Sequence, residues 1–148
     1  MPVEVRTILF AEDNPKDIEL TLEALAEHNL ANQVVVVRDG VETLEYLRCE
    51  GKYKLRKTGL PAVLLLDIKM PRMDGIEVLR NIRSDPALKI LPIVMLTSSR
   101  EEQDLIKSYE LGVNAYVVKP VDFKDFIEAV KQIGVFWAVI NELPPKNM

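Results

Sequence analysis

A chain of 148 residues with 48% hydrophobic and 28% charged residues has the composition of an ordinary folded domain, long enough to bury a real core. Its formal net charge of −4 argues against nonspecific nucleic-acid binding, which needs a basic face to displace counterions. The single cysteine, Cys49, excludes an internal disulfide and fits a reducing compartment, and with one histidine, His28, no zinc-type site can be assembled.

Taken in chain order, five short apolar runs alternate with amphipathic segments: Thr7–Ala11, Gln33–Val37, Ala62–Leu66, Pro92–Leu96 and Ala115–Val118. Val34 to Val37 and Val63 to Leu66 are apolar at successive positions, the pattern of strands covered on both faces in a parallel sheet. Strand-then-helix repetition predicts an α/β fold, a doubly wound five-stranded parallel sheet flanked by five helices. The helix starts carry capping chemistry. Asn14 precedes Pro15, Asp74 precedes Glu77 by three residues, Ser99 precedes Glu102 likewise, and Asp122 opens the last helix. One domain is expected over residues 1–148, with a core at about 5–143 and no room for an output domain. The stretch Glu50–Pro61 reads as a helix end plus loop, and its Lys52, Lys54, Arg56 and Lys57 as solvated charges. The N-terminus has no apolar signal core and no stretch approaches the ~20 apolar residues of a membrane span, so a cytoplasmic protein is expected.

In a parallel α/β sheet, ligands bind where the carboxyl ends of the strands open into loops. Here the first strand ends in Glu12-Asp13, the third in Asp67, the fourth in Thr97-Ser98 and the fifth in Lys119-Pro120. Alone, a strand-end aspartate is usually a turn former and a Lys-Pro an ordinary loop. Together they bring three carboxylates, a hydroxyl and an amine to one edge. Crowded carboxylates repel, and a divalent cation relieves that repulsion; hard oxygen donors suit Mg²⁺. One carboxylate can then act as nucleophile toward phosphorus while metal and lysine neutralise the transferred oxygens. The proline after Lys119 is expected to fix the loop that aims the amine, through a cis bond.

Those residues lie in Phe10-Ala11-Glu12-Asp13-Asn14, in Leu65-Leu66-Asp67-Ile68-Lys69-Met70-Pro71-Arg72-Met73-Asp74-Gly75, in Leu96-Thr97-Ser98 and in Tyr116-Val117-Val118-Lys119-Pro120. On these motifs the chain resembles the receiver domain of two-component response regulators, from Ile8 to about Asn141. The resemblance implies a flavodoxin-like fold and a signalling protein that is not a turnover enzyme. It implies that Asp67 accepts phosphate from a phosphohistidine of a sensor histidine kinase. Asp13 would bind Mg²⁺ directly, Glu12 through water, and the backbone carbonyl of Lys69 would complete the protein ligands. Lys119 would pair with the phosphoryl group, and Thr97 would donate its hydroxyl to it, vacating space for the ring of Tyr116. The response would emerge on the surface of the fourth helix, fifth strand and fifth helix. Lys69 either contacts the phosphoryl group or points to solvent.

The last helix, expected from Phe123 to about Leu143, carries one apolar stripe through Phe123, Phe126, Ile127, Val130, Ile133, Trp137 and Ile140. A second apolar face, through Val135, Phe136 and Val139, exceeds what one sheet can cover. It predicts a partner or homodimer contact; coverage by the Glu50–Pro61 loop is the alternative. The extended loop before the third strand, Phe136-Trp137 and Leu143-Pro144-Pro145 resemble single-domain receivers paired with phytochrome-type histidine kinases, among which homodimers form through the last helix. Three other readings compete. A dehalogenase-type phosphohydrolase needs a second aspartate where Lys69 stands; a flavin module would find its phosphate repelled by Glu12-Asp13; a degenerate scaffold would not need the complete Glu12, Asp13, Asp67, Thr97 and Lys119 set.

Overall fold

The structure, a computed structural model, describes residues 7–27, 34–57, 59–98, 115–132 and 134. Within them lie five strands, β1 (Ile8–Ala11), β2 (Val34–Val37), β3 (Val63–Asp67), β4 (Ile93–Thr97) and β5 (Ala115–Val118). Four α-helices accompany them: α1 (Pro15–Ala26), α2 (Gly40–Arg48), α3 (Gly75–Ser84) and α4 (Phe123–Gln132). The strands are parallel and lie in the order β2-β1-β3-β4-β5. The expected doubly wound sheet is therefore present. The helix expected from Ser99, and the last helix beyond Gln132 with its second apolar face, lie outside the described residues.

Side chains alternate across a strand, and the successive apolar residues divide into two layers. Leu9, Ala11, Leu64, Leu66, Ile93 and Met95 face α2 and α3 through Leu44, Leu47, Ile76, Leu79 and Ile82. Ile8, Phe10, Val63, Leu65, Val94 and Leu96 face α1 and α4 through Ile18, Leu25, Phe126 and Val130. No helix among the described residues is long and apolar enough to cross a membrane.

The caps form largely as their sequence signals require. The Asn14 side chain accepts from the amides of Lys16 and Asp17 at 2.9 and 3.1 Å. Asp74 accepts from Glu77 at 2.9 Å, and Asp122 from Asp125 at 2.8 Å. β3 and β4 end at Asp67 and Thr97, the expected strand-end residues, each one residue beyond its apolar run. One expectation needs correction. In the Glu50–Pro61 segment Lys52, Lys54 and Lys57 are exposed as expected, but Arg56 is half-buried and the segment is not a loose loop. It opens with a 3-10 turn, Gly51–Tyr53, whose Tyr53 hydroxyl donates to Glu42 at 2.6 Å. Lys52 pairs with Glu42 at 2.8 Å, and Arg56 donates to the Tyr46 carbonyl at 2.9 Å with its guanidinium 4.2 Å from the Tyr46 ring centre.

Candidate functional site

The strand order reverses at β1, which has β2 on one side and β3 on the other, so the crevice at their carboxyl ends is the expected ligand position. Three rows of side chains on the α1/α4 face run into it. Ile8 and Phe10 continue to Glu12, Val63 and Leu65 to Asp67, and Ala115 and Val117 to Lys119. The same period that buries the apolar members thus aims an acid, an acid and an amine at one point.

Lys119 Nζ lies 3.1 Å from Asp67 Oδ1 and 3.2 Å from Glu12 Oε1. It also meets a residue outside the expected set, Asp17 Oδ2, at 3.2 Å. The Lys119-Pro120 peptide is cis, as expected. The Lys119 amide donates to the Thr97 carbonyl at 2.8 Å, joining the ends of β4 and β5. Glu12 is fully buried, Asp67 nearly so at 3%, and Asp13 is more open. Carboxylate oxygens of Glu12, Asp13 and Asp67 all lie within 4.8 Å of one another, close enough to share one hard cation.

Electrostatics express the crowding. Burial first, then the Asp67 charge, push the Glu12 carboxyl up to about 7, although Lys119 and the Asn14 amide oppose the rise. Burial alone would lower the Lys119 ammonium, but Asp67, Glu12 and Asp17 outweigh it and hold the group firmly charged. An acid raised by burial and by the charge of Asp67 marks a position where a further positive charge is favourable, so the donor set fits a divalent cation.

Thr97 is fully buried, and its hydroxyl is the one buried side-chain polar atom among the described residues with no hydrogen-bond partner. Such a donor is costly to leave unmade and is available to an incoming acceptor. Tyr116 is half-buried against the α2/α3 layer. The register pairs Met95 with Tyr116 and Thr97 with Val118, which sets Tyr116 and Thr97 on the same sheet face in adjacent strands.

The loop after Asp67 is fixed from two sides. A Cβ on Gly40 would come within 2.2 Å of the Met73 carbonyl oxygen, so α2 starts directly against this loop. Arg72 adopts φ 64°, unusual for a side-chain-bearing residue, and its guanidinium reaches Asp39 at 2.8 and 2.9 Å. Asp39 in turn caps α2 through Glu42 at 2.7 Å. Lys69, within this loop, is exposed.

Sequence reasoning missed Asp17 and Arg72. Asp17 had a signal: α1 carries Ile18 and Leu25 toward the layer that the Asp67 row also faces.

This arrangement defines the class. The receiver-domain profile of response regulators matches residues 8–131, and the chain belongs to that family. Its members are signalling proteins that work with histidine kinases rather than conventional turnover enzymes. Among relatives, the chain is 37% identical over 139 residues to response regulator Rcp1 of Synechocystis sp., covering 94% of this chain and 93% of Rcp1. It superposes on the bacteriophytochrome response regulator AtBRR with a TM-score of 0.87 at 59% identity, covering 94% of this chain and 99% of that one. The phosphorylated cyanobacterial phytochrome response regulator RcpA aligns at 42% identity with a TM-score of 0.72, covering 96% of this chain and 100% of that one. Rcp1 has also been solved in a Mn(2+)-bound form, with a TM-score of 0.71 over 95% of this chain and 99% of that one.

Proposed function

We propose that the chain is a phosphoacceptor switch in which Asp67 receives a phosphoryl group from the phosphohistidine of a sensor histidine kinase. The observation that carries this reading is the Asp67 carboxylate itself: nearly buried, 3.1 Å from Lys119 Nζ, and within 4.8 Å of two further acids. In the transfer, an Asp67 oxygen forms the new P–O bond as the P–N bond of the donor breaks. The electron pair of that bond leaves with the imidazole, so no oxidant or water is consumed. Glu12, Asp13, Asp67 and the Lys69 carbonyl would hold Mg²⁺, which when bound supplies positive charge beside the transferred oxygens. That the relative Rcp1 has a Mn(2+)-bound form supports the binding of a divalent cation by this chain.

Lys119 neutralises charge on the phosphoryl oxygens without relay of a proton, since its ammonium is held charged. The unpartnered Thr97 hydroxyl is the donor that turns toward the new group, and Tyr116, on the same sheet face, is the ring that follows. That pair forms a two-state element biased by local charge. The output passes to protein partners or a homodimer through the last helix, in the cytoplasm. The phytochrome response regulators among its relatives support a phytochrome-type kinase as the partner.

Incubation with a small phosphodonor and Mg²⁺ should add one phosphoryl mass to the wild type and nothing to Asp67→Asn. An unmodified wild type, or an adduct that survives Asp67→Asn, would falsify the assignment.

A further inference from the structure

Lys119 has three N–H groups and three carboxylate partners, and these partners are not equivalent. Glu12 and Asp67 belong with Asp13 to the acidic cluster suited to a cation. Arrival of that cation, and of a phosphoryl group on Asp67, changes both carboxylates, so two of the three contacts must rearrange during the reaction. Asp17 stands outside the cluster. It sits in the first turn of α1, its amide fixed to the Asn14 side chain at 3.1 Å, one residue before the buried Ile18. Its backbone is therefore anchored on a packed helix, and its short side chain places Oδ2 3.2 Å from an ammonium on a flexible four-carbon stem.

We infer that Asp17 is a positioning residue for phosphoryl transfer, holding Lys119 Nζ at the Asp67 carboxylate while its other two partners change hands. The inference rests on the reading of Asp67 as phosphoacceptor. Two effects of Asp17 oppose each other. Its negative charge weakens the pull of Lys119 on the phosphoryl oxygens, and its fixed acceptor keeps the amine in place. Positioning dominates because charge stabilisation of a transferring group falls steeply when the donor is misplaced by about 1 Å.

The test is the rate of phosphoryl uptake by the full chain from acetyl phosphate at saturating Mg²⁺, followed by intact mass. Asp17→Ala should lower the maximal rate about tenfold, with the half-saturating donor concentration and the Mg²⁺ affinity unchanged. Asp17→Asn keeps the side chain's size and an acceptor oxygen, and should recover most of the rate, to within about threefold of wild type. If Asp17→Ala does not fold, the small loss in Asp17→Asn at unchanged Mg²⁺ affinity carries the comparison. Variants as fast as wild type or faster overturn the inference, as does a loss of rate matched by a loss of Mg²⁺ affinity. A wild type that takes up no phosphoryl group removes the phosphoacceptor reading and this inference with it. A normal wild type beside an unaffected Asp17→Ala removes the inference alone.

Discussion

Gly75 opens α3 directly against the backbone of Asp67: a Cβ at position 75 would lie 2.3 Å from the Asp67 carbonyl oxygen and 2.9 Å from the Ile68 Cα. The Gly75 amide also donates to the Ile68 carbonyl at 2.7 Å, so the helix start and the nucleophile's strand are tied at that point. Both obstructing atoms are backbone, and neither can rotate aside as a side-chain tip would. Gly75→Ala must therefore shift the end of β3 or the start of α3. Alanine's better helix propensity, about 1 kcal/mol, works in the opposite direction, but overpacking against backbone should exceed it. The expected outcome in urea unfolding is a net loss of about 2 kcal/mol, together with slower phosphorylation of Asp67. A variant as stable and as reactive as wild type would show that the close approach constrains nothing.

Much of this was legible in the chain because the physics is local or periodic. Val34 to Val37 and Val63 to Leu66 announce a sheet covered on both faces, and the period of two that buries Leu65 also dictates where Asp67 points. Asn14, Asp74 and Asp122 cap helices as short-range chemistry requires. What could not be read depends on distant partners. Arg56 looks like one member of a basic run, yet it serves the Tyr46 carbonyl ten residues away and lies over that residue's ring. The Arg72 contact with Asp39 needs a positive φ at a non-glycine residue, which no composition rule anticipates. Asp17 reads as a first-turn acid favourable to the helix dipole, and only the docking of α1 brings it to Lys119.

Removal or addition of the cation should have opposite consequences in two forms of the protein. In the metal-free state Glu12 is a buried acid crowded by Asp67, with its carboxyl pushed up to about 7. Glu12→Gln relieves that repulsion, and without metal it should be at least as stable as wild type at pH 8. With Mg²⁺ present at a hundredfold excess over its Kd, wild type should gain about 2.7 kcal/mol, and the variant markedly less. Thermal melting with EDTA and with Mg²⁺ makes the comparison. A variant destabilised without metal, or stabilised by Mg²⁺ as much as wild type, would contradict the cluster's role.

The Glu42 carboxylate supplies a pH dependence remote from the site. Burial would raise its pKa, but Lys52, the Tyr53 hydroxyl and the Arg38 amide outweigh burial and hold it below the ordinary glutamate value. A depressed folded pKa means that the unfolded chain binds the proton more readily. The contribution is therefore complete above the ordinary glutamate range and lost as pH falls through the folded value. Lys52 is largely exposed, so the Tyr53 and Arg38 bonds should carry most of the effect. Glu42→Gln should be less stable than wild type at pH 7, and the gap should narrow at pH 3.5. Urea denaturation at the two values measures it, and a gap independent of pH would rule out the linkage.

Thr97→Val separates the resting state from the phosphorylated one. In the unphosphorylated protein the buried hydroxyl has no partner, so replacing it with a methyl group removes an unsatisfied polar atom. The variant should be neutral or stabilised by up to about 1 kcal/mol before phosphorylation. Once Asp67 is phosphorylated, the wild-type hydroxyl gains a charged acceptor, worth about 1.5–3 kcal/mol, and valine offers nothing in return. The phosphorylated variant should then melt below phosphorylated wild type although the unphosphorylated forms rank the other way. Because Tyr116 shares the sheet face of Thr97, the variant should also lose any phosphorylation-dependent change in tyrosine resonances that wild type displays. If both forms of Thr97→Val keep the same offset from wild type, the hydroxyl takes no part in reading the phosphoryl group. The switch would then have to begin at Lys119, whose ammonium lies 3.1 Å from Asp67.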